Sequence, residues 1–224
     1  MSEDGKLCDI FSNIDDEDGV ADAIEEVKSL LAAGEDPNLQ NKLGYTPLIL
    51  LASHWENLSE ILKIIVNAGG DVNAKYSGSN SHQHGCTPLI SACGGLGESG
   101  NFNHVQTLID LGADIDITDN SKRTALHYAA CYGLKKHADV LVKNSANLDL
   151  KDNFDTPLEL AIDQGQLPVV LLLLEAGANV DKERCLNNAN GSDYNTDEIK
   201  VLIGDPGIVQ NYKIPEGWYR KYDD

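Results

Sequence analysis

The stretch T-P-L-E-L-A-I-D-Q-G-Q-L-P-V-V-L-L-L-L-E-A-G-A-N-V-D, residues 156–181, joins two landmarks that recur along this chain. The first is a tetrad opening on threonine: T-P-L-I at 46–49, T-P-L-I at 87–90, T-A-L-H at 124–127 and T-P-L-E at 156–159. The threonines stand 41, 37 and 32 residues apart. The second is a turn: N-A-G-G-D-V-N at 67–73, D-L-G-A-D-I-D at 110–116, N-S-A-N-L-D at 144–149 and E-A-G-A-N-V-D at 175–181. A fifth copy, A-A-G-E-D-P-N at 32–38, lies upstream, and Gly34 precedes Thr46 by the same twelve residues that separate Gly112 from Thr124.

Each landmark has a physical reading. Threonine caps a helix through its side-chain oxygen, and proline suits the first helical position because its missing N–H has no intrahelical partner there. Ala52, Ala92, Ala129 and Ala161 let that helix lie close to its neighbours. A second helix is apolar at helical spacing, as in Ile61, Leu62, Ile64 and Ile65, or Val169, Val170, Leu172 and Leu173. Gly69, Gly112 and Gly177 then suit a left-handed C-cap. One such unit cannot bury its apolar face alone, so units of this period stack into a solenoid.

These residues resemble the ankyrin repeat, G-x-T-P-L-H-x-A-A-x-x-G followed by an apolar helix and G-A-D-V-N, over about residues 20–181. The resemblance implies an all-α repeat solenoid of stacked helix-turn-helix units with projecting turns. It divides the chain into an acidic segment over 1–18, a degenerate capping repeat over 19–45, and repeats over 46–86, 87–123, 124–155 and 156–188. A C-terminal capping helix and aromatic tail over 189–224 complete one continuous domain. After Asp181 the pattern dissolves, apart from T-D-E-I-K-V-L-I-G at 196–204, a last helix with Thr196 as its cap. The repeat histidine survives only at His127, with Ile49, Ile90 and Glu159 in its place elsewhere, which implies a less regular array. Extra residues fall in S-H-W-E-N-L-S, in the finger Lys75–Cys86 and in G-G-L-G-E-S-G-N-F-N.

Function follows from the resemblance as an expectation: a non-catalytic interaction module, an adaptor, chaperone or assembly factor, holding a partner on its concave face. The variable positions of that face map onto Tyr45, Ser53 and His54; Cys86, Gly94 and Gly95; Arg123, Cys131 and Tyr132; and Phe154, Asp163 and Gln164. Tyrosine and arginine most often anchor interfaces, so Tyr45, Arg123, Tyr132 and Phe154 form the leading stripe, with His54, Asp163 and Gln164 beside it. The plainer alternative is that Tyr45 and Phe154 only pack on adjacent turns.

The charge is one-sided, 36 acids against 17 bases, and residues 1–40 alone carry a net −10. Such a surface disfavours nucleic acid and anionic lipid and would steer a basic protein towards it. A second function class therefore stands beside the first: an acidic inhibitor or immunity-type protein blocking a basic enzyme surface. No Gly-rich phosphate loop, G-x-S-x-G or H-E-x-x-H occurs, so neither an enzyme nor a cofactor is expected. His82, His84 and Cys86 alternate as soft ligands with His54 as a candidate fourth, yet serine, glycine and asparagine dominate the segment, which reads as a polar finger without metal. Asp15–Asp18 is out of phase with a calcium loop and reads as a solvated linker. Five cysteines in no C-x-x-C pair, an acidic N-terminus and no apolar run long enough to span a bilayer point to free thiols in the cytoplasm or nucleus, and to a monomer. The tail aromatics Tyr212, Trp218, Tyr219 and Tyr222 read as a lid on the last repeat or as a docking motif.

Overall fold

The four threonines act as their spacing predicts. Thr46, Thr87, Thr124 and Thr156 are extended, and each Oγ1 accepts the backbone N–H three residues on, at 3.4, 3.3, 3.4 and 3.2 Å. The computed structural model describes residues 5–11, 17–54, 58–78, 85–96, 101–191 and 196–205. Among them lie helices and turns and no strand.

The chain forms two units, residues 1–121 and 122–224. The first contains α1 (Lys6–Ile10), α2 (Glu17–Ala32), α3 (Pro47–Ser53), α4 (Ser59–Asn67), α5 (Pro88–Ala92) and α6 (Phe102–Asp110). Helices α1, α3 and α5 stack in one row and α2, α4 and α6 in another. The second unit contains α7 (Ala125–Cys131), α8 (Lys135–Lys143), α9 (Pro157–Asp163), α10 (Leu167–Glu175), α11 (Lys182–Gly191) and α12 (Thr196–Gly204). Here α7, α9 and α11 form one row, α8 packs on α10, and α12 pairs with α11. Ala52, Ala92, Ala129 and Ala161 are fully buried in the first-helix rows, where a larger side chain would push the rows apart.

The second helices end in the expected left-handed turn. Gly34, Gly69, Gly112 and Gly177 have φ between +88° and +98°, and the residue after each donates its N–H to the carbonyl five positions back. In N-S-A-N the position falls to Ser145, which takes φ +67° without being glycine. The turns are stitched across repeats by their last residue. Asn38 Oδ1 accepts the Asp71 N–H at 2.7 Å, Asn73 Oδ1 that of Asp114 at 2.9 Å, and Asp149 Oδ1 that of Asn179 at 2.9 Å.

Three features differ from the sequence reading. The acidic N-terminal segment holds a helix of the cap: α1 buries Leu7, Cys8 and Ile10 against α2 and α3. Its few apolar residues span too short a window to show a helical period. The helices also continue past Asp181, where the repeat pattern dissolves: α11 starts at Lys182 and packs on α9, burying Cys185 and Ala189. Asparagines and a single leucine mask that helix in the sequence. Thr196 is the first residue of α12 rather than a residue outside it.

The loss of the repeat histidine is partly made good. His127 Nδ1 accepts the Thr124 N–H at 3.1 Å, and in the next repeat Glu159 Oε2 accepts the Thr156 N–H at 2.9 Å, so both close a capping box. Glu159 is buried, and its other oxygen takes the Arg184 Nε–H of α11 at 2.9 Å. Arg184 also reaches the Phe154 carbonyl at 2.6 Å and the Asp155 carboxylate at 2.8 Å, which ties α11 to the turn before α9.

Candidate functional site

In the first unit, Tyr45 ends the turn 41–45, which Asn41 organises by accepting the N–H groups of Leu43 and Tyr45 at 3.0 and 3.1 Å. The Tyr45 ring packs tilted on Tyr76, centroids 4.5 Å apart, and burial pushes its phenol above the usual range. Tyr76 is buried at the base of the long finger, where its N–H bonds the Cys86 carbonyl at 2.9 Å and its carbonyl takes the Gly85 N–H at 3.0 Å. The finger base also presses on the preceding turn. A Cβ on Gly78 would lie 2.0 Å from the Leu43 carbonyl oxygen, and one on Gly44 would lie 2.3 Å from the Gly78 nitrogen. Tyr45 is therefore half-buried by its neighbour, while Leu43 at the tip of the turn is exposed.

His54 is half-buried at the end of α3, where its N–H bonds the Leu51 carbonyl at 3.1 Å. Leu58, just before α4, is held by a residue that the sequence reading passed over. His104, the third residue of α6, is fully buried. Its Nε2 accepts the Leu58 N–H at 2.8 Å, and Nδ1 lies 3.3 Å from the Ala52 carbonyl. A carbonyl can only accept, so the proton sits on Nδ1 and the ring is neutral. Burial is the main reason its pKa falls to about 4; the Ala52 bond opposes this and His54 adds to it.

Cys86, Gly94 and Gly95 are buried, which removes them from any contact surface; the Cys86 thiol donates to the Gly95 carbonyl at 3.5 Å. His82 and His84 lie outside the described residues, as do Asp15 and Asp16, much of the insertion after Gly95 and the aromatic tail. Among the described residues no group of histidine, cysteine and carboxylate side chains is arranged to hold a metal ion, and no helix is long and apolar enough to cross a membrane.

In the second unit, Arg123 opens the repeat and spends its charge locally. Its Nε donates to Asp152 Oδ2 at 2.9 Å, and its guanidinium carbon stands 5.8 Å from the centroid of Tyr128. Asp152 is buried, and its other oxygen accepts the N–H groups of Phe154 and Asp155, each at 2.7 Å. Burial alone would raise its carboxyl, but those N–H groups and Arg123 together hold it below the usual range. The result is a rigid turn that presents Phe154 with 75% of its surface exposed. Tyr128 in turn stacks on Tyr132, centroids 6.3 Å apart, and Tyr132 is 42% exposed. Sequence reasoning missed Tyr128 because a buried aromatic on the first helix looks like core; it is the bridge between Arg123 and Tyr132.

Asp163 and Gln164 are exposed at the end of α9, and the Gln164 amide donates to Asp163 at 2.8 Å. Cys131 lies among these groups: Arg123, Asp163 and Asp152 all act on its thiol, though burial dominates and raises it. Arg123, Asp152 and Asp163 of this unit thus stand within electrostatic reach of Cys131 at the end of α7, with Tyr132 next to it in the chain. The exposed groups here include the rings of Tyr132 and Phe154, the Asp163 carboxylate and the Gln164 amide.

The family profile described as "Ankyrin repeats (3 copies)" matches residues 20–119 and again residues 96–184. Among curated proteins, the chain is 35% identical over 139 residues to "Neurogenic locus notch homolog protein 1" of Homo sapiens and 37% identical over 138 residues to that of Danio rerio. "Neurogenic locus notch homolog protein 2" of Homo sapiens is 35% identical over 130 residues. These alignments take in 61%, 61% and 58% of this chain but only 5% of each relative, so the likeness concerns the repeats and not the whole of those proteins. With the profile spanning well over half of its residues and the capped helix pairs in place, the chain belongs to the ankyrin-repeat family, whose repeats are protein–protein interaction modules.

Proposed function

We propose that this chain is a non-catalytic adaptor, chaperone or assembly factor that holds a partner protein on the exposed ends of its first helices and the adjoining turns. Arg123, Tyr132, Phe154, Asp163 and Gln164 supply the contacts in the second unit, and Tyr45 and His54 those in the first. The observation that carries this reading is the exposure of Tyr132, whose ring stacks on Tyr128, and of Phe154, whose backbone N–H is bound by Asp152, since ordering before contact lowers the entropy lost on binding. The test is affinity capture with the natural chain and with Tyr132→Ala/Phe154→Ala, at matched circular dichroism. The reading expects at least one protein to be retained by the natural chain and lost by the variant; identical captured sets would overturn it.

A second reading rests on charge. Residues 1–121 hold twenty acids and five bases, a net −15, whereas residues 122–224 hold sixteen and twelve, a net −4. An inhibitor of a basic enzyme would use such a concentration of charge, and it would form a complex with a basic nuclease that abolishes the nuclease's activity and weakens as salt rises.

A further inference from the structure

Helices α1 and α2 open the first unit and have a neighbouring pair, α3 and α4, on one side only among the described residues. Between α1 and α2 runs a groove of about 460 Å³. Ile10, Ala23 and Leu30 give it an apolar lining, and Ile10 and Ala23 are buried. Asp9, Asp22 and Glu26 stand on it as exposed carboxylates, with Lys6 as the one base. Asp22 and Glu26 are one helical turn apart and so lie on the same face of α2. The charge imbalance is not spread over the molecule but sits in this unit.

We infer that this groove is a second docking site, separate from the surface proposed above, for a short segment of a partner protein in which apolar residues alternate with arginine or lysine. The chemistry selects that occupant. An arginine or lysine stem is apolar and its head is cationic, so the stem lies along Ile10, Ala23 and Leu30 while the head meets Asp22 and Glu26. A second copy of this chain, with a net charge of −19, would meet the same carboxylates with like charge. An anionic lipid surface is repelled for the same reason.

The test uses the full chain and a fluorescein-labelled Leu-Arg-Leu-Arg-Leu-Arg peptide, read by fluorescence anisotropy. Asp22→Asn/Glu26→Gln is expected to weaken binding about tenfold at low salt, each carboxylate contributing a modest share. Leu30→Gln keeps the charge and is expected to weaken binding as well. Asp114→Asn/Asp116→Asn removes the same charge from another turn of the unit and should change affinity less than about twofold. Equal weakening by the two charge variants would reduce the site to bulk attraction and overturn the inference. So would failure of the natural chain to bind, or sedimentation showing that the groove serves a dimer that Asp22→Asn/Glu26→Gln dissociates. Tyr132→Ala/Phe154→Ala should leave peptide binding intact, which keeps this test apart from that of the main surface.

Discussion

Acidification should loosen the first unit through His104, and the size of the effect follows from its two hydrogen bonds. In the folded chain Nε2 must accept from Leu58, so protonating it converts an acceptor into a donor facing a donor. Its pKa falls from 6.5 to about 4, whereas in the unfolded chain it returns to the ordinary value. The unfolded state therefore binds the proton more readily, and stability is lost as pH falls from about 6.5 to about 4, with no further loss below. The whole window is worth about 3 kcal/mol, and about 2 kcal/mol of it is gone by pH 5. Glutamine can accept from Leu58 and donate to Ala52 without titrating. Urea unfolding followed by circular dichroism at pH 7 and pH 5, on the natural chain and on His104→Gln, isolates the effect. Other groups, including His137, whose pKa also falls to about 4 through burial, act equally in both proteins and cancel. The natural chain should lose about 2 kcal/mol more than the variant between the two pH values. Parallel losses would refute the role given to His104.

Five further substitutions, at four positions, probe the scaffold by urea unfolding. Ser145→Gly should stabilise the chain by about 1 kcal/mol, because a left-handed backbone is strained for serine and free for glycine; a loss would contradict the turn geometry. Gly78→Ala should be strongly destabilising, since its Cβ would meet the Leu43 carbonyl, whereas Gly112→Ala, with open space around its Cβ, should cost only about 1 kcal/mol. Glu159→Ala removes a buried cap and should cost at least about 1 kcal/mol, and Glu159→Gln, which keeps an acceptor for the Thr156 N–H, should cost less; the reverse order would exclude the capping role.

What was legible in the sequence was whatever a local rule controls. Threonine followed by proline marks a helix start wherever it stands, and glycine before Ala-Asp marks a left-handed turn, so the repeats could be counted without coordinates. What was not legible depends on which residues meet across repeats. His104 looks like an ordinary helix residue until the fold brings the Leu58 N–H of the preceding repeat to it. Glu159 looks like the loss of a histidine, yet a carboxylate can accept the same N–H and also recruit Arg184 from two helices on. The candidate surface was read by position alone. Phe154 and Tyr132 are exposed, as that mapping requires, while Tyr45 is half-covered by Tyr76 because a finger of unusual length folds its base against the preceding turn.

The proposed surface is tested most directly by photocrosslinking. Benzoylphenylalanine placed at Gln164, exposed at the end of the first helix α9, should crosslink a partner protein in cells, and the same probe at Lys143, exposed on the second helix α8, should not. Crosslinking from Lys143 alone, or equally from both, would contradict partner binding on the first-helix face.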